Sequence, residues 1–379
     1  MLFSVTKECF LRLFKLASLV AIEKKAGVNV VGSHVLLTAA SNKLTLTATD
    51  LDVELIVEEP FDSLTTPGSL VVPFRKISEI CRAMTENVVL NVTSSPAPAC
   101  KLNIESLQGF FSMSCLSPDV FPVLSHKIFD VEFSIEMKFL QELISKVAFA
   151  MGDDDGRHFL NGVFLHFSAD EIVSVAADGH RLMVWQALNA ENNKAIADLK
   201  VPVKILIPRK SVFDILKIMS DVALDLWAKI SVGENHFRIV VNNITYTSKL
   251  LTATFPPFKK LIPQNTSKVL TVNREQLKSC LSRVLALLGD KSQGVKLGFS
   301  DNTLTITGKN EQNDLATENV PAVFDGPTVE ICFNIKYLLD FLSNIQSDLV
   351  IFKVENATSG ALIQDPALVG SYVLMPMQI

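Results

Sequence analysis

The feature that most constrains the fold of this chain is a threefold internal repetition. "FSVTKECFL" (3–11), "FSIEMKFLQEL" (133–143) and "LTVNREQLK" (270–278) share one grammar: a short β-branched run that turns into a helix carrying Lys or Arg near its start. Roughly 40 residues on, "KLTLTATDLDVEL" (43–55), "EIVSVAADGHRLMVW" (171–185) and "NTLTITGKNEQND" (302–314) each alternate apolar and polar residues and then meet a polar turn. A third unit, "SLVVPFRKISEICRAM" (69–84), "KILIPRKSVFDILKIM" (204–219) and "TVEICFNIKYLLDFLS" (328–343), runs from an apolar strand into a second helix. Pro73 and Pro208 suit a first helical turn, and Asn334 suits a helix cap. Each copy closes on strands, at 110–122, 245–258 and 370–379. The expectation is an α+β chain of three tandem domains, 1–127, 128–264 and 265–379, each with two helices on mostly antiparallel sheets.

At 48% apolar and 20% charged, the chain has the balance of a globular protein, and no run of about 20 apolar residues is present to span a membrane. Arg12 and Lys15 interrupt the apolar start, and no small-residue cleavage site follows it. The six cysteines show neither CxxC pairs nor metal-ligand spacing, which fits reduced thiols in the cytoplasm and no metal or cofactor.

Asp178, Gly179, His180 and Arg181 look like chemistry, and one reading is a hydrolase or transferase built on Asp178, His180 and Arg181. The repeats argue otherwise. The same turn holds Asp50–Asp52 in copy one and Lys309–Glu311 in copy three, and no Ser or Cys nucleophile with a positioned base lies nearby. No catalytic residue is therefore expected.

Charge is unevenly placed. The six expected helices, 7–16, 74–86, 136–149, 208–220, 273–288 and 334–346, hold fifteen Lys or Arg against eight Asp or Glu. That leaves +7 on the helices and −12 elsewhere, in a chain of net −5. At about 100° per residue, Arg12 and Lys15 lie opposite Phe10, Leu13 and Ala17, and Arg75, Lys76 and Arg82 lie opposite Ile77, Cys81 and Met84. Solvated helix faces would explain any one helix. Six of them in an acidic chain suggest a shared basic surface for phosphates, without base readout.

With "ADGHRL" (177–182), "FLNGV" (159–163), "IPRK" (207–210), "YTSKLL" (246–251), "FP" (255–256), "FNIKYLLDFL" (333–342) and "YVLMPMQI" (372–379) in this order, the chain resembles the bacterial DNA polymerase III subunit beta family, the sliding clamps. The resemblance covers its whole length. It implies the DNA clamp fold, in which each chain is half of a closed homodimeric ring around duplex DNA and acts without catalysis as a processivity factor. It implies short-motif partners: the polymerase III alpha subunit, the clamp loader, other DNA polymerases and repair proteins. The implied peptide pocket is Leu160, Ala177, Gly179, His180, Arg181, Leu182, Pro256, Leu261, Asn334, Tyr337, Leu374, Met375, Pro376 and Met377. The two methionines around a proline fit an adaptable apolar groove, with His180 and Arg181 as polar handles at its edge. A plain core strand is the other reading of the tail.

DNA-facing residues are expected at Lys24, Lys25, Arg75, Lys76, Arg209, Lys210, Lys259 and Lys260, and a dimer contact at Phe110, Phe111 and Met113 against Leu287 and Leu288. Several positions depart from the family pattern. Lys24 and Lys25 replace an Arg in the first loop, and Asp153, Asp154 and Asp155 would repel phosphate. Ala177 and Gln378 replace Thr and Arg in the pocket region, and only Asp314 and Glu318 stand for an acidic interface patch. A protein-only scaffold of three repeats is a further alternative.

Overall fold

The computed structural model describes residues 1–21, 31–61, 63–85, 89–95, 100–107, 109–122, 124, 128–188, 196, 199, 201–264, 266–289, 292–367 and 369–378. Repeat 1 runs β1 (Leu2–Thr6), α1 (Lys7–Ala17), β2 (His34–Ala40), β3 (Lys43–Thr49), β4 (Val53–Pro60), β5 (Ser63–Thr66), β6 (Gly68–Pro73), α2 (Phe74–Ala83), β7 (Val89–Ser95), β8 (Lys101–Ser106) and β9 (Gly109–Ser114). Repeat 2 follows with β10 (Val131–Glu136), α3 (Met137–Ala148), β11 (Gly162–Phe167), β12 (Glu171–Ala177), β13 (Arg181–Leu188), β14 (Val203–Pro208), α4 (Arg209–Asp221), β15 (Trp227–Val232), β16 (His236–Val241) and β17 (Ile244–Lys249). Repeat 3 has β18 (Lys268–Asn273), α5 (Arg274–Leu288), β19 (Gly294–Ser300), β20 (Thr303–Lys309), β21 (Leu315–Asp325), β22 (Val329–Asn334), α6 (Ile335–Asn344), β23 (Leu349–Val354), β24 (Ala361–Gln364) and β25 (Gly370–Leu374).

Local chemistry sets the helix starts. Thr6 caps α1 by accepting the Cys9 amide, and Asn273 caps α5 by accepting the Gln276 amide at 3.0 Å. Asn334 caps α6, as its sequence suggests, accepting from Lys336 N–H at 2.9 Å. Pro73 and Pro208 sit one place earlier than expected, as the last residues of β6 and β14. Pro73 there is the helix cap in extended conformation, where its missing N–H costs no helical bond. The apolar stripes face inward: Phe10, Leu13, Phe14 and Ala17 of α1 are buried, as are Leu277, Leu281, Val284 and Leu288 of α5.

The chain forms two compact units, residues 1–138 with 217–250, and residues 139–216 with 251–379. The first holds a five-stranded sheet, β5-β1-β7-β8-β9, and an eight-stranded sheet, β10-β15-β16-β17-β4-β3-β2-β6. The second holds a twelve-stranded sheet, β14-β11-β12-β13-β25-β24-β23-β18-β21-β20-β19-β22. Repeat 2 is thus divided between them. Its β17 pairs antiparallel with β4 of repeat 1, and its β13 pairs antiparallel with β25 of repeat 3. The two junctions are built alike. Lys249 N–H donates to the Asp52 carbonyl at 2.9 Å, and Met375 N–H donates to the His180 carbonyl at 2.9 Å.

Asn334→Ala removes both the α6 cap and the 2.9 Å bond from its Nδ2 to Gln293 Oε1. We expect a loss of about 1–2 kcal/mol, read as a lower melting temperature with an unchanged far-ultraviolet circular dichroism spectrum at 20 °C.

Candidate functional site

The polar turn that follows β12 is a hydrogen-bonded device common to the repeats. Asp178 Oδ1 accepts the amides of His180 and Arg181 at 2.9 and 3.0 Å. Asp50 does the same for Asp52 and Val53 at 3.1 and 2.8 Å, and Asn310 for Gln312 and Asp314 at 3.0 and 2.9 Å. Such short polar side chains make turns by satisfying the backbone two residues on. Gly179 has φ +91°, a backbone conformation that L side chains rarely adopt, so the turn favours glycine there.

Arg181, expected as a polar handle at the groove edge, lines the cavity but is already held by ion pairs. It is 9% exposed. Its Nε donates to Asp178 Oδ2 at 2.9 Å, its Nη1 donates to Asp340 Oδ2 at 2.7 Å, and the Tyr337 ring lies 4.2 Å from its guanidinium carbon. Burial works against its charge, but the surrounding Tyr372, Asp340 and Asp178 outweigh burial and leave its pKa above the ordinary value. Asp178 is spent on the turn and on this ion pair, so the Asp178, His180 and Arg181 trio has a structural use in place of a catalytic one.

Beside the turn lies a cavity of about 590 Å³. It brings together nine expected residues: Leu160, Ala177, Gly179, His180, Arg181, Leu182, Pro256, Leu261 and Met375. Its floor is an apolar cluster in which Leu160, Ala177, Leu182, Val184, Phe258 and Val373 are buried. One wall is aromatic: Phe255 stacks on Phe164 at 5.1 Å and meets Phe159 edge-on at 6.0 Å. Space is left because Ala177, Gly179 and Gly360 carry little or no side chain. The tail reaches the cavity because Leu374 pairs with Arg181 and Val373 with Leu182.

Five expected residues do not line this cavity. Leu374 is fully buried, because strand alternation turns it away from the face that shows Val373 and Met375. Asn334 is occupied as the α6 cap, and Tyr337 covers Arg181. Pro376 and Met377 leave the cavity as the tail crosses to β22, where Met377 N–H donates to the Cys332 carbonyl at 2.8 Å. Sequence reasoning missed Arg157, Phe159, Phe255, Lys260 as a cavity residue, Pro263, Gly360 and Val373. Phe159 and Phe255 stood within quoted motifs, beside residues that were chosen. Arg157 is held by Asp155 through contacts of 2.9 and 2.7 Å, and its side chain and amide bring the exposed Asp155 carboxyl down to about 2.

At the first junction the equivalent positions are polar and buried: Thr49 for Ala177, Glu54 for Leu182 and Thr247 for Val373. Glu54 Oε2 accepts the Leu124 amide at 2.7 Å. The second junction carries apolar side chains in those places.

The expected DNA-facing residues divide. Lys24 and Lys25 lie outside the described residues. Arg75 and Lys76 are exposed on α2, with Arg75 bonded to Glu79 at 2.8 Å. Arg209 and Lys210 are half-buried and also make contacts within the chain. Arg209 Nη1 donates to the Met151 and Gly152 carbonyls at 3.2 and 3.1 Å, and its Nε lies 3.5 Å from Asp153. Lys210 neutralises the buried Asp214 one turn along the helix, at 2.7 Å. Lys259 pairs with Glu171 at 3.0 Å, and Lys260 lines the cavity. The acidic run is likewise partly neutralised, Asp153 by Arg209 and Asp155 by Arg157.

At the expected dimer contact, Phe110, Phe111 and Leu287 are exposed, and Met113 and Leu288 are not. Met113 faces the core side of β9, and Leu288 belongs to the buried stripe of α5. Exposed Leu315, at the start of β21, is an apolar neighbour that the sequence did not flag.

Three family models match in order along the chain: the DNA polymerase III beta subunit N-terminal domain over residues 1–125, its central domain over 134–257 and its C-terminal domain over 259–378. The chain belongs to the DNA polymerase III beta subunit family. The beta sliding clamp of Vibrio cholerae is 32% identical over 360 residues, covering 94% of each chain. That of Pseudomonas aeruginosa is 30% identical over 382 residues and covers all of both. The crystal structure of DNA polymerase III subunit beta from Pseudomonas aeruginosa superposes with a TM-score of 0.92 at 30% identity over 100% of both chains. The beta sliding clamp of Caulobacter crescentus gives 0.93 at 26% identity, over 100% of this chain and 99% of that one. The family is a processivity factor rather than a catalytic subunit, and the fold is three tandem clamp domains. The hydrolase reading is not favoured: among the described residues, the cavity lining contains no Ser, Thr or Cys.

Two outcomes are expected of these ion pairs. Arg181→Ala leaves the Asp178 and Asp340 carboxylates without their shared cation, so it should destabilise the protein by about 1–3 kcal/mol, whereas exposed His180→Ala should change stability by no more than about 0.5 kcal/mol; urea unfolding measures both. Arg157 holds the folded Asp155 carboxyl below its ordinary value of 3.8, so this stabilisation is present above about pH 4 and is lost as pH falls through about 2. A carboxyl carbon titration by nuclear magnetic resonance should show that midpoint, and Arg157→Ala should return it towards 3.8.

Proposed function

We propose that two copies of this chain close head to tail into a ring that encircles duplex DNA, and that each copy carries one cavity for short peptides of DNA polymerases and other DNA-processing partners. The three domains in this reading are 1–127, 128–264 and 265–379, and the ring works in the cytoplasm beside its DNA. Among the described residues, no helix is long and apolar enough to cross a membrane.

The observation that carries the reading is the pair of internal junctions. The fourth strand of repeat 1 (β4) takes the last strand of repeat 2 (β17), and the fourth strand of repeat 2 (β13) takes the last strand of repeat 3 (β25). The same two edges remain at the ends of the series. Among the described residues, β9 pairs only with β8, and the first half of β21, from Leu315, pairs only with β20. An open edge invites another strand, and head-to-tail contacts that close make rings. Both edges are apolar at the surface: Phe110 is 63% exposed and Leu315 62%. Arg283, bonded to Glu318 at 2.7 and 2.8 Å, gives the β21 side a polar rim.

Phosphate contact in this reading falls to exposed helix cations such as Arg75, Lys76 and Arg82. Such contacts are blind to sequence and screened by salt. Topology holds the DNA, so weak contacts suffice and permit sliding. The cavity takes the apolar side chains of a peptide on its Leu182, Val373 and Phe255 surfaces, and Arg157, His180 and Lys260 favour acidic residues beside them.

Phe110→Asp with Leu315→Asp should raise the dimer dissociation constant by at least about 100-fold, since each apolar side chain contributes about 1.5–3 kcal/mol. Sedimentation at micromolar concentration reads this, and an unchanged dimer would defeat the edge assignment. Deleting Met375–Ile379 should weaken a labelled leucine–phenylalanine peptide roughly 10- to 100-fold in fluorescence anisotropy, with the dimer intact. Neutralising Arg75 and Lys76 should lower the salt slope of DNA binding by about one unit per lost phosphate contact, equally for every sequence.

A further inference from the structure

We propose that Cys100 and Cys115 are a disulfide-forming pair, a reversible clasp at the open end of the β8–β9 hairpin that is closed by a low-molecular-weight disulfide such as glutathione disulfide. The hairpin pairs Lys101 with Ser114 and Leu102 with Met113. One step outward, the same register sets Cys100 opposite Cys115, and the Cys115 amide donates to the Cys100 carbonyl at 2.9 Å. Opposite residues joined this way have Cα atoms about 5.5 Å apart, within the range of roughly 4.4–6.8 Å that a disulfide spans. They also share a face of the sheet. Here it is the core side, because Leu102, Ile104, Met113 and Cys115 are all buried. The other cysteines have no such arrangement: Cys9, Cys81 and Cys280 are on helices, and Cys332 faces Lys296 across its ladder.

The two thiols differ in access, which fixes the order of events. Cys115 is buried and Cys100 half-buried. Burial pushes the Cys115 thiol up to about 11 against the Leu102 backbone hydrogen bond, and the nearby Cys100 adds to the rise. Cys100 therefore reacts first. It loses its proton to solvent and attacks one sulfur of glutathione disulfide. A Cys100–glutathione bond forms, the reagent's S–S bond breaks, and one glutathione thiolate leaves. Cys115 then loses its proton and attacks the Cys100 sulfur, which expels the second glutathione thiolate. Two protein thiols are oxidised and one disulfide is reduced to two thiols; excess thiol reverses both steps. The clasp locks the ladder of β9 whether or not a second copy pairs with its outer edge.

Trypsin tests this directly, because Lys101 lies between the two cysteines in the sequence. The full-length protein is held in glutathione disulfide without denaturant, then alkylated, digested and mapped by mass spectrometry. The expected result is one linked pair, the Cys100 peptide joined to the Cys115 peptide, that separates on dithiothreitol. In Cys115→Ser the link is absent and glutathione remains on Cys100. A wild-type protein, folded by circular dichroism, in which Cys100 keeps glutathione or is alkylated with no link to Cys115 would overturn the proposal. So would a link from either residue to any other cysteine.

Discussion

Each repeat ends with two strand edges whose backbone N–H and C=O groups need partners, and the architecture follows from where those edges find them. A buried backbone group left unpaired costs about as much as a lost hydrogen bond, so an edge is covered or becomes a binding surface. Inside the chain β4 meets β17 and β13 meets β25, in the same antiparallel sense and with the same carbonyl-to-amide bond at the end of each ladder. These pairings decide that repeat 2 is shared between two compact units and does not stand as a body of its own. They also leave β9 and the first half of β21 as the matching ends of an unfinished series.

The cavity beside the DGHRL turn is a by-product of the same constraint. The tail is drawn to β13 by main-chain bonds, and that alone delivers Val373 and Met375 to the face shown by Leu182. Arg181 then fastens the junction through Asp178 and Asp340. What fills the space beyond is a matter of side chains. At the first junction a buried glutamate, Glu54, holds the Leu124 amide, whereas at the second Leu182 contributes to an apolar floor. One backbone plan thus supports a polar joint and an apolar cavity.

Much of this was legible in the sequence, where the signal is local. The six expected helices, the Asn334 cap and the turns at Asp50 and Asp178 are written in periodicities and in short polar residues whose bonds reach only a few positions away. The tail and the DGHRL turn were joined through family resemblance, and the ladder between them agrees. The rest depended on contacts between distant segments. Lys210 reads as a surface cation until Asp214 proves to be buried, and Arg209 until its fork is found on the Met151 and Gly152 carbonyls. Arg181 reads as a rim residue until Asp340, from another repeat, closes over it. Met113 and Leu288 show the limit of naming a whole motif apolar, since alternation and helical period turn only some of its residues outward. Phe159 and Phe255 became visible only when the fold stacked one segment beside the other.

The central claim is that DNA is held by closure of a ring and not by strength of contact. The most direct measurement is retention on closed circular DNA during gel filtration at raised salt, before and after a single cut by a restriction enzyme. The account predicts that protein loaded on the circle elutes with the DNA and leaves it once the ends are free. Protein that is lost equally from circular and linear DNA, or that stays on both, would contradict it.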